Sequence, residues 1–196
     1  MNSKLSLFAF LILFSANTIF AEDVKPSKAP KQYSLEAGYR NVFYVTDKSN
    51  LFGNNYSHGY GYLFDYAWQL SGIDGKKPSA FISVPIGYSV MVPNNANYKQ
   101  ISMLNYGWTV RHELSRNSKL TPFLGYGLLL NTLKQEGILG GVMGHQTQFD
   151  FGANFNTSSR LKYFAKIECS YTSYPKLGAT ERIHFMFTDL RIGLRF

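Results

Sequence analysis

The feature that most constrains this chain is an alternation with a period of two, which runs from residue 33 to residue 196. Within each run, large apolar side chains fill most alternate positions, while glycine, polar and charged residues fill most positions between them. In its clearest stretch the apolar positions are Tyr60, Tyr62, Phe64, Tyr66, Trp68 and Leu70. A period of two predicts β-strands, because successive side chains of a strand point to opposite faces. A content of 16% aromatic residues and 17 glycines also favours strands and tight turns over helices.

The alternation divides into eight runs separated by polar or glycine-rich connections. The predicted strands are 33–46, 58–70, 79–92, 99–114, 120–133, 144–156, 161–174 and 182–196. Each run exceeds the roughly 9–11 residues that a tilted strand needs to cross a bilayer. The connections at 47–57 and 134–143 are the longest, and we expect both to face the cell exterior. Candidates for aromatic girdles at the two interfaces are Tyr33, Trp68, Trp108, Tyr163, Phe187 and Phe196.

The face between the aromatic residues carries charges of both signs, six acids and six bases. They are Glu36, Asp65, Glu113, Asp150, Glu168 and Asp189, with Arg40, Arg111, Lys162, Lys166, Arg191 and Arg195. On a lipid face Arg or Lys costs about 2–4 kcal/mol at mid-bilayer, whereas a balanced set of ion pairs suits a narrow, closed interior. We therefore predict an all-β fold, an eight-stranded antiparallel transmembrane up-and-down β-barrel with a plugged polar interior. The charged residues should form an ion-pair network inside it.

The first 21 residues have a different composition. Lys4 precedes an apolar run from Leu5 to Phe14, and smaller residues lead to Ala21. The apolar run is too short to cross a bilayer comfortably, so residues 1–21 are predicted to be a signal peptide, cleaved after about Ala21. Residues 22–32 hold two prolines and three lysines and are predicted to be a disordered periplasmic lead-in. The barrel would then comprise residues 33–196.

The sequence resembles small eight-stranded outer-membrane β-barrel proteins of Gram-negative bacteria, of the OmpA/OmpX type. The last segment carries the resemblance most sharply, because Leu190, Ile192, Leu194 and Phe196 alternate with charged residues and glycine, and the chain ends on an aromatic residue. The resemblance extends over residues 33–196. It implies insertion by the barrel-assembly machinery, for which those four residues would be the assembly signal. It also implies residence in the outer membrane, in contact with lipid and lipopolysaccharide, but no single activity.

Residues with catalytic chemistry are sparse. His145, His184 and Ser173 are weak catalytic candidates, since they could approach one another near the outer rim. Cys169 is the single cysteine, which excludes an intramolecular disulfide. No His or Cys cluster has metal-ligand spacing, so neither a metal nor a cofactor is expected. The formal net charge of +8 could suit nucleic acid, but export makes anionic envelope surfaces the better partner, and no nucleic-acid partner is expected.

The leading interpretation is an integral outer-membrane protein with a structural or interaction role and with loops exposed at the cell surface, not an enzyme. Three alternatives stay open: a deacylase-like enzyme that modifies lipid A, a narrow channel, and a subunit of an envelope complex with a protein partner. The group of barrels that this sequence resembles includes lipid A deacylases. These enzymes use a Ser-His pair that is close in sequence and near the penultimate strand. The corresponding segment, Glu168 to Ser173, contains no histidine.

Overall fold

The computed structural model describes residues 31–46, 52, 55–71, 79–115, 119–137, 139–156, 161–176 and 182–196. The expected signal peptide lies outside the described residues, as does the expected lead-in up to residue 30. Within the described ranges, no helix is long and apolar enough to cross a membrane.

Within the described residues, eight antiparallel strands form one closed barrel, in which each strand pairs with its neighbours in the sequence and β8 pairs with β1. The strands are β1 Lys31–Thr46, β2 Tyr56–Ser71, β3 Ala80–Pro93, β4 Ile101–Glu113, β5 Leu120–Gln135, β6 Leu139–Phe155, β7 Lys162–Lys176 and β8 Arg182–Arg195. All eight predicted strands are present, and the predicted fold class is confirmed. Lys31 and Gln32, which the lead-in was expected to include, belong to β1.

The strands are strongly tilted. A path can start at Ala153 on β6 and step each time to the directly opposed residue of the next strand. After one turn around the barrel this path returns to β6 at Met143, ten residues away from Ala153. A stagger of this size over eight strands corresponds to a tilt of about 40° from the barrel axis, within the usual range. A barrel of eight strands is just wide enough for side chains to fill it.

The first and last strands meet at Tyr33 and Phe196. Tyr33 donates a backbone hydrogen bond of 2.8 Å to Phe196, and Phe196 donates one of 3.0 Å in return. Their rings stack at 5.9 Å between centres. We call this end of the barrel the terminal end and the opposite end the distal end. The pairing of β1 with β8 therefore reaches Phe196, and Lys31 and Gln32 of β1 continue beyond it in pairing with β2 alone.

The outward surface of the barrel is apolar and largely exposed. Ile192 is 69% exposed and Tyr62 is 64% exposed, and the other assembly-signal residues also face outward. A water-soluble protein would bury such side chains, whereas the hydrocarbon of a bilayer accommodates them. The prediction that Phe187 belongs to an aromatic girdle is wrong, because its side chain is fully buried in the lumen. Phe187 lies two residues before Asp189 on the same strand, so both side chains point inward.

The prediction of a long connection at 134–143 is also wrong. β5 continues to Gln135 and β6 begins at Leu139, so only three residues, 136–138, separate the two strands. Gly137 has a positive φ of 71°, a conformation that glycine adopts at little cost. The glycine-rich stretch therefore extends a hairpin at the distal end.

Candidate functional site

The lumen contains a chain of six alternating charges, which we call the charge chain. Its members lie on β1, β7 and β8 in the order Arg40, Asp189, Arg191, Glu168, Lys166 and Glu36. Successive members are joined by salt bridges of 2.8, 2.6, 3.3, 3.4 and 3.0 Å. Three bases and three acids make the set neutral, so each buried charge lies beside one of opposite sign.

The strand register explains the path of these salt bridges. Glu168 lies directly opposite Asp189, and Lys166 lies directly opposite Arg191. Like charges in direct opposition repel each other. The attractive contacts therefore run along each strand or diagonally between β7 and β8, as from Arg191 Nε to Glu168 Oε2. Arg40 extends this four-charge arrangement at Asp189, and Glu36 extends it at Lys166.

The other six residues of the predicted network are arranged differently. They are Asp65, Arg111, Glu113, Asp150, Lys162 and Arg195. Among the described residues, no salt bridge within 4.0 Å involves any of them. Arg111 instead lies over the ring of Phe81 and Arg195 over that of Phe164, both at 4.3 Å from the ring centre. Both guanidinium groups also lie near the ring centre of Phe123, at 5.9 Å for Arg111 and 5.4 Å for Arg195. We call this set the Arg-Phe layer.

Hydrogen bonds complete the polar contacts near the terminal end. Arg195 donates to the side-chain oxygen of Asn154, and the amide of Asn154 donates to Glu113 Oε1 at 3.1 Å. Glu113 is therefore linked to Arg195 through an amide and not through an ion pair. Lys162 is only half-buried.

The distal end of the lumen is filled by apolar side chains, which we call the apolar cluster. It comprises Val42, Phe52, Tyr56, Met91, Ile101, Met103, Leu133, Tyr174, Ile183, Phe185 and Phe187. Phe52, from the connection between β1 and β2, is fully buried and contacts Phe185 edge-on at 5.6 Å. The sequence analysis did not predict this cluster. Phe185 and Phe187 lie four and two residues before Asp189, so all three side chains point into the lumen. This spacing is the sequence pattern that could have revealed the apolar cluster.

Arg40 joins the apolar cluster to the charge chain. Its guanidinium lies 4.4 Å from the ring centre of Phe187 and donates to Ser89 at 2.9 Å. From the distal end, the lumen thus holds the apolar cluster, the charge chain and the Arg-Phe layer in succession.

The three weak catalytic candidates lie together at the distal rim. Ser173 on β7 pairs directly with His145 on β6 and with His184 on β8. Directly opposed residues have Cβ atoms about 4.5–5.5 Å apart, so the three side chains are neighbours on the outward face. Ser173 is only 3% exposed, whereas His145 is exposed and His184 is half-buried. We call this set the rim row.

Tyr171 orients one of the two histidines. Its hydroxyl lies 2.6 Å from His184 Nδ1, and the two rings stack at 5.4 Å between centres. In the tautomer with Nδ1 protonated, this nitrogen donates to the phenol oxygen and Nε2 is free to accept a proton. No hydrogen bond joins Ser173 to either imidazole among the described residues. Sequence reasoning could not identify Tyr171, because its role depends on the register of β7 against β8.

A second serine and histidine, Ser57 and His58, are also in contact, but their hydrogen bonds do not activate the serine as a nucleophile. Ser57 Oγ lies 3.2 Å from His58 Nδ1 but donates its proton to Asn94 Oδ1 at 2.7 Å. His58 must then act as the donor to Ser57, so it cannot serve as the base in this arrangement. In the described part of the chain, no three His, Cys, Asp or Glu side chains are grouped as a metal site requires.

The fold and its charged lumen define a closed eight-stranded barrel with an outward apolar surface. Among solved structures, the chain is similar to Neisserial surface protein A, with a TM-score of 0.59 and 11% identity over 84% of this chain and 95% of that one. It is also similar to the outer membrane protein OprG from Pseudomonas aeruginosa, with a TM-score of 0.46 and 9% identity over 86% and 97% of the two chains. For the outer membrane protein AlkL the TM-score is 0.47, with 10% identity over 90% and 94%.

At 11% identity, the likeness to Neisserial surface protein A shows a shared fold alone. No protein-family model matches the chain, and no curated protein matches it by sequence.

Proposed function

We propose that this chain is an integral protein of the outer membrane of a Gram-negative bacterium, with a structural or interaction role. One observation carries the proposal: the barrel has its charges inside and its large apolar side chains outside. Glu168 and Asp189 are almost fully buried, while Ile192 is 69% exposed. This inversion suits a strand with lipid on one side and a narrow polar lumen on the other.

The distal end would face the cell exterior, where it meets lipid, lipopolysaccharide and any envelope protein partner. The outward positions of Leu190, Ile192, Leu194 and Phe196 on the closing strand support a role as the signal for the barrel-assembly machinery. The packed succession of apolar cluster, charge chain and Arg-Phe layer argues against a channel. A conducting pore needs a continuous hydrated path, which these layers interrupt.

Cell fractionation and gel mobility test this proposal. We expect the protein in the outer-membrane fraction, where detergent but not alkaline carbonate extracts it. Unheated samples should migrate faster than boiled ones, because a closed barrel stays compact in detergent until heat unfolds it. Recovery from the periplasm in a soluble form, with one mobility at all temperatures, would refute the proposal.

A second candidate function is hydrolysis of a lipid ester at the rim row, which the alignment of Ser173 between two histidines favours. Ser173 lies ten residues from Tyr163 along β7, which at the barrel's tilt places it roughly 25 Å further along the axis, about the height of an apolar membrane band. Lipid headgroups and ester bonds lie at that level. The low exposure of Ser173 ranks this function below the structural or interaction role.

The chemistry would follow that of a serine esterase. Ser173 Oγ attacks the acyl carbonyl while its proton passes to Nε2 of His184, which Tyr171 orients. The ester alcohol leaves with that proton, and water then hydrolyses the acyl-serine. The hydrogen bond between serine and histidine would form when substrate binds, as catalytic contacts often tighten at that point.

Purified protein incubated with lipid A carrying radiolabelled acyl chains tests the second candidate. Acyl release by the wild type, lost in Ser173→Ala and sharply reduced in His184→Ala, would establish it. Ser57→Ala is the matched control, since Ser57 is also a rim serine beside a histidine, and it should retain the release. Absence of release by the folded wild type would eliminate this function and leave the structural role untouched.

A further inference from the structure

The lumen contains a small polar cavity between the charge chain and the Arg-Phe layer, with a volume of about 30 Å³. Its charged lining consists of Glu36, Asp65, Arg111, Asp150, Lys166 and Arg195. These residues come from six different strands, so the cavity lies near the barrel axis. Five of the six are less than 9% exposed, and the side chain of Lys166 is 8% exposed.

Three of the residues that line the cavity each have a polar atom without a protein partner among the described residues. Asp65 Oδ1, Arg111 Nε and Arg195 Nε are fully buried and make no hydrogen bond among the described residues. Leaving a buried polar group without a partner costs about 1–3 kcal/mol, and more when the group is charged. Three such atoms on residues that line one cavity point to a group in the cavity that bonds to them.

The chemistry of these atoms selects the ligand. Asp65 Oδ1 needs a donor, whereas Arg111 Nε and Arg195 Nε need an acceptor. A halide ion can only accept and a metal cation cannot accept at all, so neither satisfies both kinds of atom. Water both donates and accepts.

The charge of the lining leads to the same conclusion. Three acids, Glu36, Asp65 and Asp150, balance three bases, Arg111, Lys166 and Arg195. A neutral lining gives no net attraction for an ion of either sign, while a neutral dipole fits among its charges. Each water molecule needs about 10–15 Å³ of cavity volume, so a cavity of about 30 Å³ suits two water molecules.

We propose that this cavity is an internal binding site for about two ordered water molecules, which bridge Asp65 to Arg111 and Arg195. The waters replace the direct ion pairs that these residues lack. They are confined by the charge chain towards the distal end and by the Arg-Phe layer towards the terminal end. The site stabilises the charged lumen without forming a path through it.

A crystal structure of the intact mature protein at a resolution that shows waters, grown with rubidium bromide in the buffer, tests this proposal. We expect density within about 2.7–3.2 Å of Asp65 Oδ1 and of at least one of the two Nε atoms. That density should show no anomalous signal at the rubidium or bromine absorption edge. An anomalous peak in the cavity would assign it to an ion instead. A direct Asp65–Arg111 salt bridge with no density between the side chains would also overturn the proposal.

Discussion

The guanidinium of Arg40 on β1 and the carboxylate of Asp189 on β8 form a two-bonded ion pair across the seam that closes the barrel. Arg40 Nε donates to Asp189 Oδ1 at 2.9 Å, and Arg40 Nη2 donates to Asp189 Oδ2 at 2.8 Å. The two residues also lie directly opposite each other in the backbone register. Fork-to-fork geometry of this kind is strong and specific, so the pair helps to fix the register in which the last strand meets the first.

The charge chain predicts unequal costs for removing its members. Asp189 accepts from both Arg40 and Arg191, so Asp189→Asn leaves two buried guanidinium groups short of a counter-charge. We expect that variant to lose about 3–5 kcal/mol of unfolding free energy, and Arg40→Met to lose less, because Asp189 keeps Arg191. Urea unfolding in detergent micelles or lipid vesicles measures both. Lys134→Met, at an exposed position, is the control and should change stability by no more than about 0.5 kcal/mol. Equal losses for Asp189→Asn and Lys134→Met would contradict a paired lumen.

An outward charge should be costly only where the barrel meets lipid. Ile192→Arg is expected to destabilise the folded protein in vesicles by about 2–4 kcal/mol, as Arg does near a bilayer midplane. Ala96→Arg, on the exposed connection between β3 and β4, should be nearly neutral. Unfolding in lipid vesicles provides the comparison. If Ile192 faced water, both substitutions would be neutral.

Close packing of aromatic rings over glycine makes Gly193 intolerant of a side chain. A Cβ atom at Gly193 would clash with Phe164 Cζ and would lie 2.6 Å from the carbonyl oxygen of Leu35. We expect Gly193→Ala to cost about 1–3 kcal/mol through overpacking. At Gly140 a Cβ would meet nothing within 4 Å, so Gly140→Ala should be neutral or slightly stabilising. Thermal unfolding of the two variants should separate them, and similar midpoints would show that the Phe164 ring yields easily.

The filled lumen predicts that the protein does not conduct ions. Purified barrel inserted into a planar bilayer should give no steady current steps under conditions in which an open porin does. The apolar cluster accounts for this at the distal end, since Phe52, Phe185 and Phe187 are fully buried there. A stable, reproducible conductance would mean that the packed layers open in the membrane.

Parity along each strand was enough to predict the fold, because a period of two fixes which side chains share a face. It correctly separated Ile192, which faces outward, from Asp189 and Arg191, which face the lumen. The same rule also assigns Phe187 to the lumen, but its aromatic character suggested a girdle. For Phe187, the residue type therefore led to the wrong prediction, whereas its position in the alternation would have given the right one.

The pairing inside the lumen could not be derived from parity. Which acid meets which base depends on the register between strands, and Glu168 lies opposite an acid, Asp189. The rim row has the same dependence, because Ser173 and its two histidines come from three strands. Spacing along the sequence does not encode these relationships.

The central claim, that the outward face lies in lipid, is tested most directly by the accessibility of a spin label. In a Cys169→Ser background, a nitroxide attached at Ile192→Cys or at Ala96→Cys can be exposed to oxygen, which concentrates in hydrocarbon, and to a water-soluble nickel chelate. In vesicles we expect the label at position 192 to collide mainly with oxygen and the label at position 96 mainly with nickel. A label at position 192 that collides mainly with the nickel chelate would contradict the claim.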